Sequence, residues 1–340
     1  MIVALDTQLA VGTATGIGVY QRDLASALRV AGVDVRALAA PHLNPWRFDR
    51  RVLWDQAGLP IAAARSGAQL LHASAGTMPI VRTLPTVVTV HDMAWMRVQQ
   101  HTRLYARAYF GLLMQRLYRS ASAVVVDSAF SRDEYAELSG DTRPAGVVYP
   151  GVDARFAAIV RRPDAQPFVL AAGTVERRKN VLRTIDTIAA IPGLRLISVG
   201  PPTPYIDEVR ACIAQLGIAD RVELRGFVDT ATVDDLYARA TVALVPSHYE
   251  GFGYAVAEAH CAGLPFIAAR TSSLVEVAGD AGTLLEPDDE AAWIETLRAL
   301  LDDRDAAQRR ADESRAAAQA QFAWSTAATT LAALYRSVLD

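Results

Sequence analysis

Lysine is nearly absent from this chain: of its 34 basic residues, 33 are arginine and only Lys179 is lysine. Cysteine is almost as scarce. Cys212 and Cys261 lie far apart and make no disulfide framework, metal-ligand spacing or redox pair, so both are expected to line a core in a reduced, cytoplasmic compartment. No apolar run approaches the roughly 20 residues that span a bilayer, which excludes a conventional transmembrane helix. The opening MIVALD reaches an acid at Asp6 without a basic leader and reads as a first strand, not a signal peptide. Several catalytic signatures are missing as well: there is no P-loop, no nucleophile elbow, no H-E-x-x-H and no Cys/His set for zinc. The one D-x-D, Asp303 to Asp305, stands in a polar helical tail and reads as solvated surface, so no metal site is expected.

What is present suits a soluble two-domain enzyme. A chain of 340 residues can form two domains of about 150 to 200 residues, each with its own core. The net charge of -3 hides an asymmetry: residues 1–150 carry 15 basic and 11 acidic side chains, the remainder 19 and 26. A basic first half suits an anionic partner such as a lipid phosphate, though uneven surface charge without a partner accounts for it equally well. Nothing points to nucleic acid.

Short β-rich runs alternate with amphipathic helical stretches from end to end, which implies parallel sheets built from βαβ units. Strands are expected at Ile2–Leu5, Val33–Leu38, Leu70–His72, Thr86–Val90 and Ala123–Val126, with helices over Ile17–Val30, Leu104–Ser120 and Ser131–Leu138. A break follows at VVYPGVD, and the polar RRPDAQP (161–167) reads as a linker. The alternation then restarts, with strands at Phe168–Ala172, Leu194–Val199, Val222–Leu224, Val242–Val245 and Phe266–Ala268, and helices clearest over Val181–Ala190 and Tyr205–Leu216. Two α/β domains over 1–162 and 163–322 are therefore expected, followed by a terminal helix over 323–340. That helix would be capped by Ser325 and apolar along Leu331, Leu334, Tyr335 and Val338.

Four segments carry chemistry. GTATGIGVY (12–20) fails the dinucleotide fingerprint because Gln21 stands at the third glycine position, and no acid ends the second strand. A loop opening a helix remains, suited to a phosphate or sugar, or simply a turn. TVHDMAW (89–95) places His91 and Asp92 directly after a buried strand, where a histidine can bind a hydroxyl, move a proton or serve only structure. AAGTVERRKNV (171–181) clusters Arg177, Arg178 and Lys179 beside a helix start, an arrangement that fits a diphosphate but also an ordinary solvated charge run. SHYEGFGYAVAEAHCAGLPFIAA (247–269) sets Glu250 and Glu258 eight positions apart around Gly251-Phe252-Gly253, after the strand pattern TVALVP. Ligands of open α/β sheets bind past such strand ends, and the glycines let backbone approach closely. One carboxylate there can take the two hydroxyls of a ribose while the other meets a second sugar.

Taken in order, these segments resemble the retaining glycosyltransferases of family 4, which share the GT-B fold. The resemblance rests on Gly16-Ile17-Gly18, TVHD at 89–92, VDSAFSRDEY at 126–135, YPGVD at 149–153, GTVERRKN at 173–180, RGFV at 225–228, EGFGYAVAEA at 250–259 and AGLP at 262–265. It implies two facing Rossmann-like domains, the first binding the acceptor and the second the nucleotide-sugar, with the last helix crossing back to the first. It implies that Glu250 meets the donor sugar near its anomeric carbon, Glu258 the ribose, and Arg178 and Lys179 the diphosphate. By the same resemblance His91 contacts the transferred sugar and Gly16 and Gly18 lie toward the phosphates. Gly173, Thr174, Arg177, Gly251, Phe252, Gly253 and Tyr254 complete the donor site, and Phe227 and Val228 border the base. Many relatives have arginine directly after the glycine of the phosphate motif, where this chain has Thr174, so the split of roles among Arg177, Arg178 and Lys179 stays open. The GTVERRKN and HDMAW versions look most like bacterial mannosyl- and rhamnosyl-type polysaccharide and O-antigen enzymes.

The expectation is thus a metal-independent, retaining hexosyltransferase with no bound cofactor. It would move mannose from GDP-mannose to a glycan or lipid-linked saccharide, by front-face attack. Its alternatives are a UDP-sugar-dependent glucosyl- or GlcNAc-type transferase, a sugar-nucleotide epimerase or hydrolase, and a non-catalytic nucleotide-sugar-binding subunit. A cytoplasmic protein is expected, with peripheral contact to the inner face of an anionic membrane through the arginine- and aromatic-rich stretch 103–120.

Overall fold

The computed structural model describes residues 1–12, 16–97 and 107–340. Residues 13–15 of the glycine loop, and 103–106 of the stretch expected to meet a membrane, lie outside the described residues. The chain forms two compact units, Met1–Gly151 with Ala323–Asp340, and Val152–Phe322. Each is a Rossmann-like α/β layer structure around a six-stranded sheet whose neighbouring strands all run parallel.

The first sheet comprises β1 (Ile2–Asp6), β2 (Asp34–Leu38), β3 (Leu70–Ala73), β4 (Thr86–Val90), β5 (Ala123–Val126) and β6 (Gly146–Val147), in the order β2-β1-β3-β4-β5-β6. The order reverses between β1 and β3, so the crevice beyond their carboxyl ends is where a ligand of this unit would bind. Helix Ile17–Val30 buries Tyr20, Leu24 and Leu28, spaced four residues apart, against Val3 and Leu5 of β1.

The same core takes in the terminal helix Trp324–Leu339 through Ala327, Ala328, Leu331 and Tyr335. Tyr335 OH meets His72 Nδ1 at 2.6 Å, and His72 Nε2 meets Thr89 Oγ1 at 2.7 Å, which ties this helix to β3 and β4. Burial depresses the His72 imidazole to about 3, so it serves this chain in its neutral form. Ser325 does not cap the helix: the cap position is Ala323, without a side-chain hydrogen bond, and Ser325 lies inside the first turn. The start is set instead by packing, since the Trp324 ring fills the space a side chain on Gly151 would need and lies against Tyr20.

The second sheet comprises β7 (Phe168–Ala172), β8 (Arg195–Val199), β9 (Val222–Leu224), β10 (Val242–Val245), β11 (Phe266–Ala269) and β12 (Thr283–Leu285), ordered β12-β11-β10-β7-β8-β9. Here the reversal falls between β7 and β10, and the loops leaving those two strands are 173–180 and 246–253. The unit begins at Val152, earlier than the expected boundary at 162. Val152 N–H donates to Phe322 O at 2.8 Å, Phe156 packs edge-on to Tyr237, and the Arg161 guanidinium donates to Ala238 O and Ala240 O. The polar run 161–167 is therefore held to the body of the second unit.

Other differences are local. Helical structure over 48–65 and the short edge strands β6 and β12 escaped the periodicity. The described part of the expected helix 104–120 runs as a π-helix over Arg107–Leu113 and an α-helix over Met114–Tyr118. The helix expected at Ser131 begins at Ala129, because Ser128 Oγ accepts Ser131 N–H at 3.0 Å and caps it. Among the described residues no helix is long and apolar enough to cross a membrane. Because Leu331 is fully buried in the first core, Leu331→Ala should cost the first unit ~2–5 kcal/mol, read by chemical denaturation.

Candidate functional site

At the reversal of the second sheet, β7 runs into Gly173 and Thr174 and then into a short 3-10 turn, Arg177–Lys179, before the helix Val181–Ala189. Consecutive residues on so tight a turn point in different directions. Arg177 turns outward: it donates to Glu208 Oε1 at 3.1 Å and lies over the Tyr205 ring. Arg178 turns inward, with Nη1 donating to Glu250 Oε2 at 2.8 Å and to Tyr249 O at 2.6 Å, and Nη2 to Glu176 Oε1 at 2.7 Å. Lys179 Nζ pairs with the other oxygen, Glu250 Oε1, which also accepts from Ser247 Oγ at 2.8 Å. The structure thus brings Arg178, Lys179 and Glu250 together and directs Arg177 elsewhere.

Glu250 is 5% exposed. Burial alone would raise its pKa, but Lys179 and Arg178 outweigh that and hold it down at about 2. Lys179 runs alongside Gly173, and a recess of about 20 Å³, the size of one water, opens between Gly173, Thr174, Lys179 and Ser247. Gly200 is obligatory beneath it: at φ +137° its α-carbon packs so near the turn that a β-carbon would stand 2.1 Å from Gly173 O.

The turn Gly251-Phe252-Gly253 leads into helix Tyr254–Ala262. Gly253 caps that helix at φ +94°, where a β-carbon would stand 2.5 Å from Leu274 Cδ2. Gly251 and Phe252 are buried, and the Phe252 ring sits edge-on to Tyr254 and Phe322. Glu258, in the second turn, is half-buried and accepts from Tyr237 OH at 2.8 Å. Burial pushes its pKa up to about 7, with the Tyr237 hydrogen bond pulling the other way. The two acids of the motif therefore end in opposite states, one locked as a carboxylate and one titrating near neutrality. Phe227 is exposed and Val228 half-buried. A cavity of about 250 Å³ opens just before them in the chain, lined by Val175, Gly200, Ile206, Arg210, Arg225 and Gly226 among others, but not by Phe227 or Val228.

In the first unit His91 follows β4 and Asp127 follows β5, and the pairing of Val90 with Val126 puts them side by side. His91 Nδ1 meets Asp127 Oδ2 at 2.7 Å and Nε2 meets Ser74 O at 3.0 Å. A carbonyl and a carboxylate can only accept, so two acceptors facing the two ring nitrogens favour the protonated imidazole. Burial opposes this, yet Asp127 overrides it and the pKa is raised. The Tyr20 ring stands edge-on to His91 at 4.8 Å. Gly16 caps helix Ile17–Val30, with Gly18 buried in its first turn.

Sequence reasoning missed Asp127, Tyr237 and the hydroxyl of Ser247 as site residues. Asp127 lies within the quoted VDSAFSRDEY, and its signal was its place one residue past a strand end, matching His91. Among the described residues no group of three or more His, Cys, Asp or Glu side chains is placed to hold a metal ion.

The two acids impose opposite pH dependences on stability. The folded state keeps the Glu258 proton between the ordinary 4.5 and about 7, so this contribution falls as pH rises through that window. The Glu250 contribution is complete above 4.5 and is lost as pH falls toward about 2. Between those limits the wild type should lose about 3 kcal/mol of unfolding free energy that Glu250→Gln does not lose, measured by urea denaturation across acidic pH.

Two family models match consecutive parts of the chain: "Glycosyltransferase Family 4" over residues 14–156 and "Glycosyl transferases group 1" over residues 153–317. The chain is 34% identical over 234 residues to a glycogen synthase of Mycobacterium tuberculosis, covering 64% of this chain and 55% of that one. It therefore spans about half the length of that relative. It is 29% identical to a D-inositol 3-phosphate glycosyltransferase of Xylanimonas cellulosilytica, covering 95% of this chain and 92% of the relative. To the O-antigen chain mannosyltransferase B of Escherichia coli it is 28% identical, over 74% of this chain and 70% of that one. Among solved structures, sucrose-phosphate synthase of Thermosynechococcus elongatus superposes with a TM-score of 0.81 at 21% identity, covering 99% and 98% of the two chains. Anabaena Alr3699/HepE in complex with UDP-glucose does so at 0.75 and 18%, covering 99% and 100%. With both of its units matched by these models and its fold shared with these structures, the chain belongs to the GT-B glycosyltransferases.

Proposed function

We propose that the protein is a retaining, metal-independent hexosyltransferase that moves a sugar from a nucleoside diphosphate to a glycan or lipid-linked saccharide. The observation that carries this reading is the convergence of Arg178 and Lys179 on Glu250 at the β7/β10 reversal. Two fixed cations there suit a diphosphate whose charge grows as the glycosidic bond breaks, the task a divalent ion performs in other enzymes. Glu250 takes the donor sugar near its anomeric carbon and Glu258 the ribose hydroxyls. The turn 251–254 offers backbone amides, and Gly173 and Thr174 border the phosphates. Arg177, engaged with Glu208, acts at the rim.

His91 is assigned to the transferred sugar, which Nε2 would reach by turning from Ser74 O while Asp127 holds Nδ1. Gly16 and Gly18, at the helix start in the first unit, are assigned to the phosphate side. In the reaction the bond from anomeric carbon to diphosphate oxygen breaks and its electron pair stays with the diphosphate. The acceptor hydroxyl oxygen bonds to the same face of that carbon, and its proton goes to the departing phosphate oxygen.

GDP-mannose is the favoured donor. The relative named for O-antigen mannose transfer supports the sugar, and Phe227 and Val228 are assigned to the base. A UDP-sugar reading is favoured instead by the fold neighbour solved with UDP-glucose.

Calorimetric titration should show GDP-mannose binding at least tenfold tighter than UDP-glucose; the reverse order selects the second reading. Lys179→Ala and Arg178→Ala should each lower kcat about 10²–10³-fold, with a retained anomer in the wild-type product by NMR. An inverted anomer removes front-face transfer. Sugar release or epimer formation without acceptor points to a hydrolase or epimerase, and donor binding without turnover to a non-catalytic subunit.

Peripheral contact with an anionic membrane in the cytoplasm is proposed for the first unit. Its support is the basic charge of residues 1–150 and the exposed Leu112, on the described part of the 103–120 stretch. Sedimentation with phosphatidylglycerol vesicles at low salt should capture the protein, and Leu112→Glu should release it; a protein that stays in the supernatant refutes the contact.

A further inference from the structure

Glu250 is held by more than its two cations. Its backbone N–H donates to Ser272 Oγ at 2.9 Å, its carbonyl accepts from Ser273 Oγ at 2.8 Å, and its carboxylate accepts from Ser247 Oγ at 2.8 Å. Thr271 Oγ1 donates to Ser247 O at 2.9 Å and closes the clamp. The segment following β11 thus grips the segment following β10 on both sides of the acid.

The backbone of this clamp is strained at one point. Among the described residues two non-glycine residues have positive φ, Ser272 at +48° and Asn180 at +51°. Asn180 directly follows Lys179, so both outliers flank the same ion pair. Left-handed backbone is disfavoured for a residue with a β-carbon and is free for glycine. A serine at Ser272 is therefore not explained by the turn, which glycine would make more easily. It is explained by its hydroxyl, which reaches the Glu250 amide. Such outliers persist where the surroundings over-determine them, and they gather at functional sites.

We infer that Ser272 is a positioning residue for the donor site: its left-handed backbone presents the hydroxyl that fixes the Glu250 amide, and so aligns the carboxylate with Arg178 and Lys179. This rests on the donor site proposed above. The sequence signal was faint, since a serine pair in a loop carries no mark of the conformation it adopts.

Two substitutions separate positioning from mere stability. Ser272→Ala and Ser272→Gly both delete the acceptor, but only glycine relieves the left-handed strain. Both should lower kcat for sugar transfer about tenfold, with the donor KM changed less than kcat. Meanwhile Tm should fall for alanine and hold or rise for glycine. A glycine variant with wild-type kcat, or activities that follow Tm, would overturn the inference.

A second reading needs no turnover. Carbon-13 NMR of the Glu250 carboxyl, which titrates at about 2 in the intact site, should move up by about one pH unit in both variants as the carboxylate loosens from its cations. An unmoved titration overturns the inference. If the wild type transfers no sugar while this titration still moves, the functional reading fails and the positioning role stands.

Discussion

The second unit is organised around a single buried carboxylate that two cations share. Glu250 gives one oxygen to Arg178 and the other to Lys179, and each cation comes from a turn some 71 to 72 residues earlier in the chain. Removing Glu250 would leave two cations side by side in a poorly solvated place, so the arrangement depends on the acid. The loops meet because β7 and β10 are neighbours at the reversal of strand order, and Gly200 lets the β7 turn pack closely against β8. The carboxylate also keeps two like charges close to one another. Without that counterion the two cations would repel each other and the cluster would lose its shape.

The first unit solves a similar problem in the opposite sense. There the His91 imidazole is set between a carboxylate and a carbonyl, which favours its protonated form, again at carboxyl ends of adjacent strands. Its surroundings are apolar on one side, where Tyr20 stands edge-on, and the histidine depends on Asp127 for its charge. In both units the charged group is fixed by acceptors or donors of complementary type. Neither is a free acid or base awaiting a proton.

Strand alternation made the two sheets legible in the sequence, because strands buried on both faces read as continuous apolar runs such as Val87-Val88 and Val124-Val125-Val126. The segment 48–65 was not legible. Its helices bury Arg51 and Asp55 as an ion pair beside Asp6, and polar residues turned inward erase the apolar period. β6 and β12 are edge strands of two and three residues, too short to show alternation. At the candidate site the residue types and their order were readable, while the division of labour was not. Arg177 and Arg178 are chemically identical neighbours, and only the sense of the 3-10 turn sends one to Glu208 and the other to Glu250. The weight carried by Ser272 depends on a backbone angle, which a sequence does not display.

The terminal helix has a consequence for how the chain comes to be folded. Leu331 and Tyr335 belong to the core of the first unit, yet they are synthesised after the whole of the second. Residues 152–322 are continuous and can close their core as soon as they have left the ribosome. The first unit, begun earlier, must wait with its helix Ile17–Val30 uncovered until the helix Trp324–Leu339 emerges. The unit made first is therefore the one completed last, and its newly made apolar surface stays exposed for the time taken to translate the other.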